Sequence, residues 1–424
     1  MISDSQLQHL GFTPSATRLW GPTVRVLVTL AAIGLATFQA VTLARVAYTT
    51  VTAREMGDFR VFYWSSQHAH DDPYSVAPAA PPGPVWTANL NPPHVVLLFV
   101  PLTWFPIGVA FGVWVAASVA SAIWAIAIIF KELRIRLTTQ SAAWTLLAVL
   151  CAAPTGALIF AAQISWILWG PVTFVWAAAR RDRWMRAGLA VGLLMSVKPF
   201  LALLLLPFDS KPRRRSADIA LLAALGCVLA GIIVLGWAPF ASWWRALTSV
   251  TWAGHVLNAS LFGFLDRLFR AQPSVWPLAP VSDRPTLALP FYIVAAAMLL
   301  TVSIWSLRAR NRPPRHITSE QNTLKVDRSF AVALSAGLLV SPLAWVYYLF
   351  FLAGPLVALG RRQVWWRSRL RTAACVIAVV CLSLGPGILA SGQPNGWLTM
   401  SLGSAYFWAV LILWGCSLEP LESR

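Results

Sequence analysis

Asp58 stands in the setting best suited to acid–base chemistry of the chain's 15 acidic residues. It follows Gly57, at the end of a long apolar stretch, and leads into an aromatic run of Phe59, Phe62, Tyr63 and Trp64. A carboxylate among aromatics at such a boundary can take a proton from a hydroxyl; it is as well placed to cap a helix lying on a membrane surface. Lys198 is an ammonium between Val197 and Pro199 in otherwise apolar sequence. Such a residue points to an anionic partner, here a phosphate carried by a lipid, or else to a side chain snorkelling toward headgroups.

Four more segments carry polar groups in apolar surroundings. HVLNASLFGFLDRLF, residues 255–269, offers Asn258, Ser260 and Arg267 as donors, while Leu257, Leu261, Phe262, Leu265 and Leu268 keep helical spacing. That spacing also suits an amphipathic helix lying on the bilayer. In LNPPH two prolines fix the path of the chain into the next apolar block, between Asn91 and His94. Gln163 follows a Pro154-Thr155-Gly156 break, and Trp345, Tyr347 and Tyr348 follow Ser341-Pro342. Aromatics of this kind are common interfacial anchors.

The elements that must position these groups are membrane helices. Hydrophobic residues make up 58% of the 424 residues and charged residues only 11%, too few to cover a soluble fold of this length. The apolar residues come in long blocks without the alternation of a transmembrane β-barrel. Residues 1–21 lack a cleavable leader pattern, so the block at 23–49 is expected as an uncleaved anchor. Further blocks lie near 93–130, 141–180, 186–208, 217–237, 286–307, 329–360, 372–390 and 402–418.

The net charge of +18 sits mainly in five clusters at block ends: 131–136, 180–186, 211–215, 308–328 and 361–371. The positive-inside rule puts all five in the cytoplasm. This placement and the lack of a basic stripe interleaved with aromatics argue against nucleic acid as a partner and for anionic lipid headgroups. Three blocks must then enter and return on one side, and each has a break near its middle: Pro154-Thr155-Gly156, Lys198-Pro199 and Ser341-Pro342. Each half of 186–208 has about ten residues, or about 15 Å of helix, short of a ~30 Å core. Such halves are tolerated when buried in protein or lining a wet cavity.

The expected fold is therefore an all-α polytopic membrane protein. It has one membrane domain over residues 1–424, about 10–12 transmembrane or half-membrane helices, and both termini inside. External loops are expected at about 50–92 and 238–285, with a cytoplasmic loop at about 308–328. The polar candidates then converge on the external face, away from cytosolic nucleotides, and no GxxxxGK[ST] loop is present. The five cysteines lie in apolar blocks without a CxxC pair, and the six histidines lack metal-ligand spacing, so neither metal nor cofactor is expected.

Taken in order, these segments resemble glycosyltransferase family 87, of the GT-C superfamily of polyprenyl-phosphate-sugar-dependent transferases. Asp58, Phe59 and Phe62-Tyr63 are similar to its Asp-Phe-x-x-Tyr stretch. Asn91-Pro92-Pro93, Pro101-Leu102 and Phe105-Pro106 are similar to its Tyr-Pro-Pro, Pro-Leu and Leu-Pro. Lys198-Pro199 matches a Lys-Pro in an apolar hairpin. Asn258, Ser260, Leu261 and Gly263, with Arg267 downstream, match an Asn-Gln-Ser-Leu-x-Gly segment. Ser341-Pro342 and Trp345 match a Ser-Pro-x-x-Trp segment. The chain departs from the pattern at Ala259, at Asn91, and at Tyr347 and Tyr348, which stand where the family often has paired histidines.

The resemblance implies a GT-C-like bundle in a bacterial plasma membrane with its active site outside. The implied activity is inverting transfer of mannose or arabinofuranose from a polyprenyl-phosphate donor to a glycolipid or polysaccharide acceptor. Asp58 is expected as the catalytic base, and Lys198, Arg267 and His94 at the donor phosphate. Arg60, Tyr63, Asn91, Gln163, His255, Asn258, Ser260, Trp345, Tyr347 and Tyr348 are expected around the substrates. The rival from another class is a transporter or flippase for a lipid-linked sugar, which also uses broken helices.

Overall fold

The computed structural model describes residues 56–75, 89–209, 213–271, 278–310, 318–362, 369–383 and 395–418, with scattered helical residues between Gly34 and Tyr48. The expected anchor at 23–49 otherwise lies outside the described residues, as do the tips of several loops. What is described is helical, with no strands, an all-α polytopic membrane protein. The helices in chain order are α1 (Gly57–Gln67), α2 (Pro93–Val96), α3 (Ile107–Glu132), α4 (Thr139–Cys151), α5 (Ala153–Ala161), α6 (Ser165–Arg180), α7 (Trp184–Val197) and α8 (Arg214–Leu235). They continue with α9 (Ala238–Thr248), α10 (Leu261–Phe269), α11 (Ala288–Arg310), α12 (Ser319–Val340), α13 (Ala353–Arg361), α14 (Arg369–Ser383), α15 (Gly396–Met400) and α16 (Ala405–Leu418).

Among the described residues four helical stretches are long and apolar enough to cross a bilayer: Ile107–Glu132, Arg214–Leu235, Pro285–Ala309 and Gly396–Leu418. A fifth is possible if the bent pair α4–α5 is one span. Shorter apolar helices at Pro93–Trp104, Trp184–Val197, Pro199–Phe208 and Val346–Arg361 make up the half-length pieces. All three expected breaks are present. α4 and α5 meet at 65°, α7 stops at an extended Lys198 before a 3-10 stretch over Pro199–Phe208, and α12 stops at Ser341.

Apolar lipid gives these helices no hydrophobic reason to associate, so small residues and local hydrogen bonds must hold them together. Gly188 and Gly192 of α7 press on α8 so closely that a Cβ at either would lie 2.2 Å from the Ser216 carbonyl oxygen or 2.3 Å from that of Ala220. The spacing is the Gly-x-x-x-Gly pattern of close helix pairs. α3 and α6 meet at Gly170, beside Trp124 and Ser121. Pro171 in the middle of α6 cannot donate to the Ile167 carbonyl one turn back; the Ser121 hydroxyl donates to it instead, at 2.9 Å.

The expected loops carry more helix than the sequence suggested: 50–92 holds α1, and 238–285 holds α9 and α10. The cytoplasmic loop expected over 308–328 is largely helix, because α11 runs to Arg310 and a Thr318–Gln321 capping box starts α12 early. The charges that made 319–328 look like a loop include a buried pair. Asp327 has no exposed surface and accepts from Trp176 Nε1 at 2.9 Å and from Arg180. Glu132 pairs with Arg180 and Arg181. Arg328, also buried, donates to Ser417, Ser306 and Leu418. This network ties α3, α6 and α12 together at one end of the bundle. The other end of α6, about 24 Å away at 1.5 Å per residue, begins beside Gln163.

Candidate active site

Asp58 is positioned by a strained start to α1. Met56 and Gly57 are both left-handed, with φ of 44° and 46°, a conformation that glycine tolerates and methionine does not favour. The helix cap is Met56, with no side-chain cap bond, and Asp58 sits inside the first turn. The carboxylate therefore serves across the fold rather than as a cap. Phe59 and Phe62 pack α1 against Phe99, Phe111 and Trp114. The half-buried carboxylate faces Gln163, whose Nε2 donates to Asp58 Oδ2.

Gln163 is itself held by a strained turn. Ala162 is left-handed at φ 48°, and its carbonyl accepts from Trp114 Nε1 at 3.1 Å. Burial pushes the Asp58 carboxyl up from the ordinary carboxylate value to about 7, with the Lys198 ammonium pulling in the other direction.

Lys198 caps the broken end of α7, and its Nζ donates to Asn91 Oδ1 at 2.8 Å. It also lies 5.5 Å from the centroid of the Tyr348 ring, a cation–π contact. The snorkelling alternative gives way to a defined partner. Asn91 is 2% exposed and anchored at every polar group. Its N and Nδ2 donate to Asn89 Oδ1, both at 3.0 Å, and its carbonyl accepts from Tyr74 at 2.5 Å. Next to it, His94 Nε2 donates to the Ser196 carbonyl at 2.8 Å, and Trp243 of α9 donates to Leu90 at 3.1 Å. The segment 89–94 is thus fixed on both sides of Asn91.

Tyr347 and Tyr348 complete this cluster. Both are buried, and their rings meet edge to face at 5.0 Å between centroids. From them an aromatic series runs outward: Tyr347 stacks on Trp345 at 6.2 Å between centroids, and Trp345 on half-buried Trp252 at 5.5 Å.

A second cluster supports that series from behind. Residues 257–259 and 344–346 exchange backbone bonds, Ala259 to Ala344 at 2.7 Å and Val346 to Leu257 at 2.8 Å, with Asn258 opposite Trp345. Asn258 spends its amide on this loop: Nδ2 donates to the Ala253 and Pro342 carbonyls, and Oδ1 accepts from Ser260 and Ala344. Ser260 caps α10 and donates to Pro342. Arg267, without exposed surface, donates to the carbonyls of His255 and Asn258 and to Ser404. A Cβ on Gly263 would lie 2.6 Å from Asn258 Nδ2, so glycine is what lets that amide sit there. Burial and the Arg267 guanidinium push His255 down to about 4, leaving it neutral at pH 7.

Of the residues singled out in the sequence, the fold brings together Asp58, Asn91, Gln163, Lys198, Tyr347 and Tyr348, with His94 one step behind Lys198 through Ser196. Asn258, Ser260 and Arg267 have no exposed surface, and their bonds go to the loop that carries Trp345. The Tyr63 hydroxyl donates to the Phe105 carbonyl at 2.8 Å, and Arg60 is exposed on the outer side of α1. The sequence reading missed Asn89 and Tyr74, which anchor Asn91; the Asn-Leu-Asn spacing was the one available signal. It also missed Gly263 as a packing requirement. Among the described residues no group of three His, Cys, Asp or Glu could hold a metal ion.

The sequence model of glycosyltransferase family 87 matches residues 89–324. That stretch contains Asn91, Gln163, Lys198 and the Asn258–Arg267 loop, while Asp58 precedes it and Trp345 to Tyr348 follow it. A curated relative is the polyprenol-phosphate-mannose-dependent alpha-(1-2)-phosphatidylinositol mannoside mannosyltransferase of Mycolicibacterium smegmatis (strain ATCC 700084 / mc(2)155). It is 25% identical over 349 residues, covering 76% of this chain and 74% of the relative. No solved structure matches.

Proposed function

The chain belongs to glycosyltransferase family 87, and on that premise we propose that it moves a mannosyl group from a polyprenyl-phosphate donor to a glycolipid hydroxyl at the outer face of a bacterial plasma membrane. One observation carries the site: an acid and an ammonium from segments 140 residues apart come together with Asn91, Gln163 and two tyrosines. The choice of mannose over arabinofuranose, and of a glycolipid acceptor, rests on the name of the mycobacterial relative. The basic clusters at the Arg180 end of the bundle, away from Asp58, support the outer face for the site.

In this reading the acceptor oxygen attacks the anomeric carbon while the bond from that carbon to the phosphate oxygen breaks. The acceptor proton passes to Asp58, and the bonding pair leaves on the phosphate. Direct displacement inverts the anomeric centre. Lys198 stabilises the charge growing on the departing phosphate, more strongly in a partly dry site than in water. Asn91 and the Tyr348 ring hold the ammonium in place, and His94 steadies the turn before it. Trp252, half-buried at the end of the stacked series, offers a flat face for a sugar ring, backed by Trp345 and Tyr347. Asn258, Ser260 and Arg267 act as positioning residues for that aromatic series, with His255 against the Trp345 edge. All of this is carried by one membrane domain.

The test is to incubate purified protein with polyprenyl-phosphate mannose and polyprenyl-phosphate arabinofuranose and measure polyprenyl phosphate released. Release from the mannose donor, lost in Asp58→Asn while the protein stays folded, is the expected result. Release from the arabinofuranose donor alone, or wild-type rates in Asp58→Asn, overturns the assignment.

A further inference from the structure

One amide in the pocket is half used. Gln163 is 7% exposed, its Nε2 is committed to Asp58 Oδ2, and its Oε1 is buried without a hydrogen-bond partner. A buried acceptor left unpaired costs stability and calls for an explanation. In the ionised form that acts as base, Asp58 only accepts and so meets the N–H end of the amide. The backbone that carries the side chain is set by the left-handed Ala162, whose carbonyl accepts from Trp114. The idle carbonyl oxygen therefore stands beside the carboxylate that takes the acceptor's proton.

We propose that Asp58 and Gln163 together read two neighbouring hydroxyls of a sugar ring, so that the acceptor is a vicinal diol. Asp58 accepts from the hydroxyl that attacks, and Gln163 Oε1 accepts from the hydroxyl on the adjoining carbon. Neighbouring ring hydroxyls are about a hydrogen-bond length apart, so one ring can address two acceptors that are themselves linked by an amide N–H. The pairing also orients the attacking oxygen, since a diol held at both oxygens cannot rotate about the bond it is about to form. This deepens the transferase reading above and rests on it. Gln163 becomes a specificity-determining residue.

The experiment uses polyprenyl-phosphate mannose as donor, with octyl α-mannopyranoside and its monodeoxy analogues as acceptors. It reads kcat/KM for each acceptor in the wild type and in Gln163→Met, a residue of similar length without the amide. The wild type should lose roughly tenfold to a hundredfold on the analogue lacking the hydroxyl next to the glycosylated one. Gln163→Met should fall on the parent acceptor and no longer distinguish it from that analogue. A purely structural role would lower both substrates alike and keep their ratio.

An unchanged ratio in Gln163→Met overturns the proposal. So does a wild type indifferent to every neighbouring deoxygenation, a measurement that stands even if the variant fails to fold. A wild type that hydrolyses the donor but never glycosylates the mannoside overturns it as well. A wild type inert toward the donor overturns the transferase reading first, and this proposal with it.

Discussion

The Lys198 ammonium donates to Asn91 Oδ1 at 2.8 Å across 107 residues of sequence. The contact joins the broken end of α7 to a loop whose other bonds run to Asn89, Tyr74 and, through Leu90, to Trp243. A cation at the end of a half-length helix is thereby held by a structure built separately from that helix.

Asn91→Ala removes that acceptor. Hydrogen bonds to charged groups contribute about 1.5–3 kcal/mol, so kcat/KM for the donor should fall roughly tenfold to a hundredfold. Lys198→Met should fall further, and Lys198→Arg should recover part of the loss. Steady-state rates with varied donor check the order. Asn91→Ala at wild-type efficiency removes Asn91 as the holder of the ammonium.

Asp58 must be ionised to accept a proton, and its carboxyl lies at about 7. Activity should therefore fall about tenfold per pH unit below 7 and level off above it, the sign expected for a base whose proton is held by burial. In Asp58→Asn this acidic limb should vanish along with roughly 10²- to 10⁴-fold of rate. The pH profile of kcat/KM decides; a limb that persists unchanged in the variant belongs to another group.

Gly192→Leu drives a side chain into the Ala220 carbonyl of α8. Overpacking costs about 1–3 kcal/mol, so the melting temperature in detergent should drop. Gly112→Leu on α3, where the Cβ position meets nothing within 4 Å, is the control and should melt like the wild type. Equal melting of the two variants would show that the close approach of α7 and α8 carries no weight.

Asp327→Ala leaves Arg180 and the Trp176 N–H short of a buried acceptor. Breaking one side of a buried ion pair costs about 3–5 kcal/mol. Thermal unfolding should shift accordingly, while the acidic limb of the rate profile stays in place because the network lies at the far end of α6. A moved limb would connect the two ends electrostatically.

The site was legible in the sequence wherever a polar residue broke an apolar run. Asp58, Gln163, Lys198 and the Ser341-Pro342 break all stand out that way, and the fold brings their surroundings together. Asn258, Ser260 and Arg267 stand out for the same reason, yet their donors go to backbone carbonyls, because a polar residue that satisfies a buried loop looks in sequence like one that meets a ligand. The buried Asp327 was hidden among lysines and arginines that read as a solvated loop. Gly188 and Gly192 were invisible to a reading that counted apolar residues, since their contribution is the absence of a side chain.

That absence sets a register. Lys198 ends the helix that carries Gly188, ten residues and about 15 Å further on. Where the two glycines lock onto α8, the ammonium has its height and azimuth decided. A slip of one residue would carry it 1.5 Å along the axis and turn it by about 100°, out of line with Asn91. The address of the charge is thus written in two missing methyl groups, a helix-length from the chemistry.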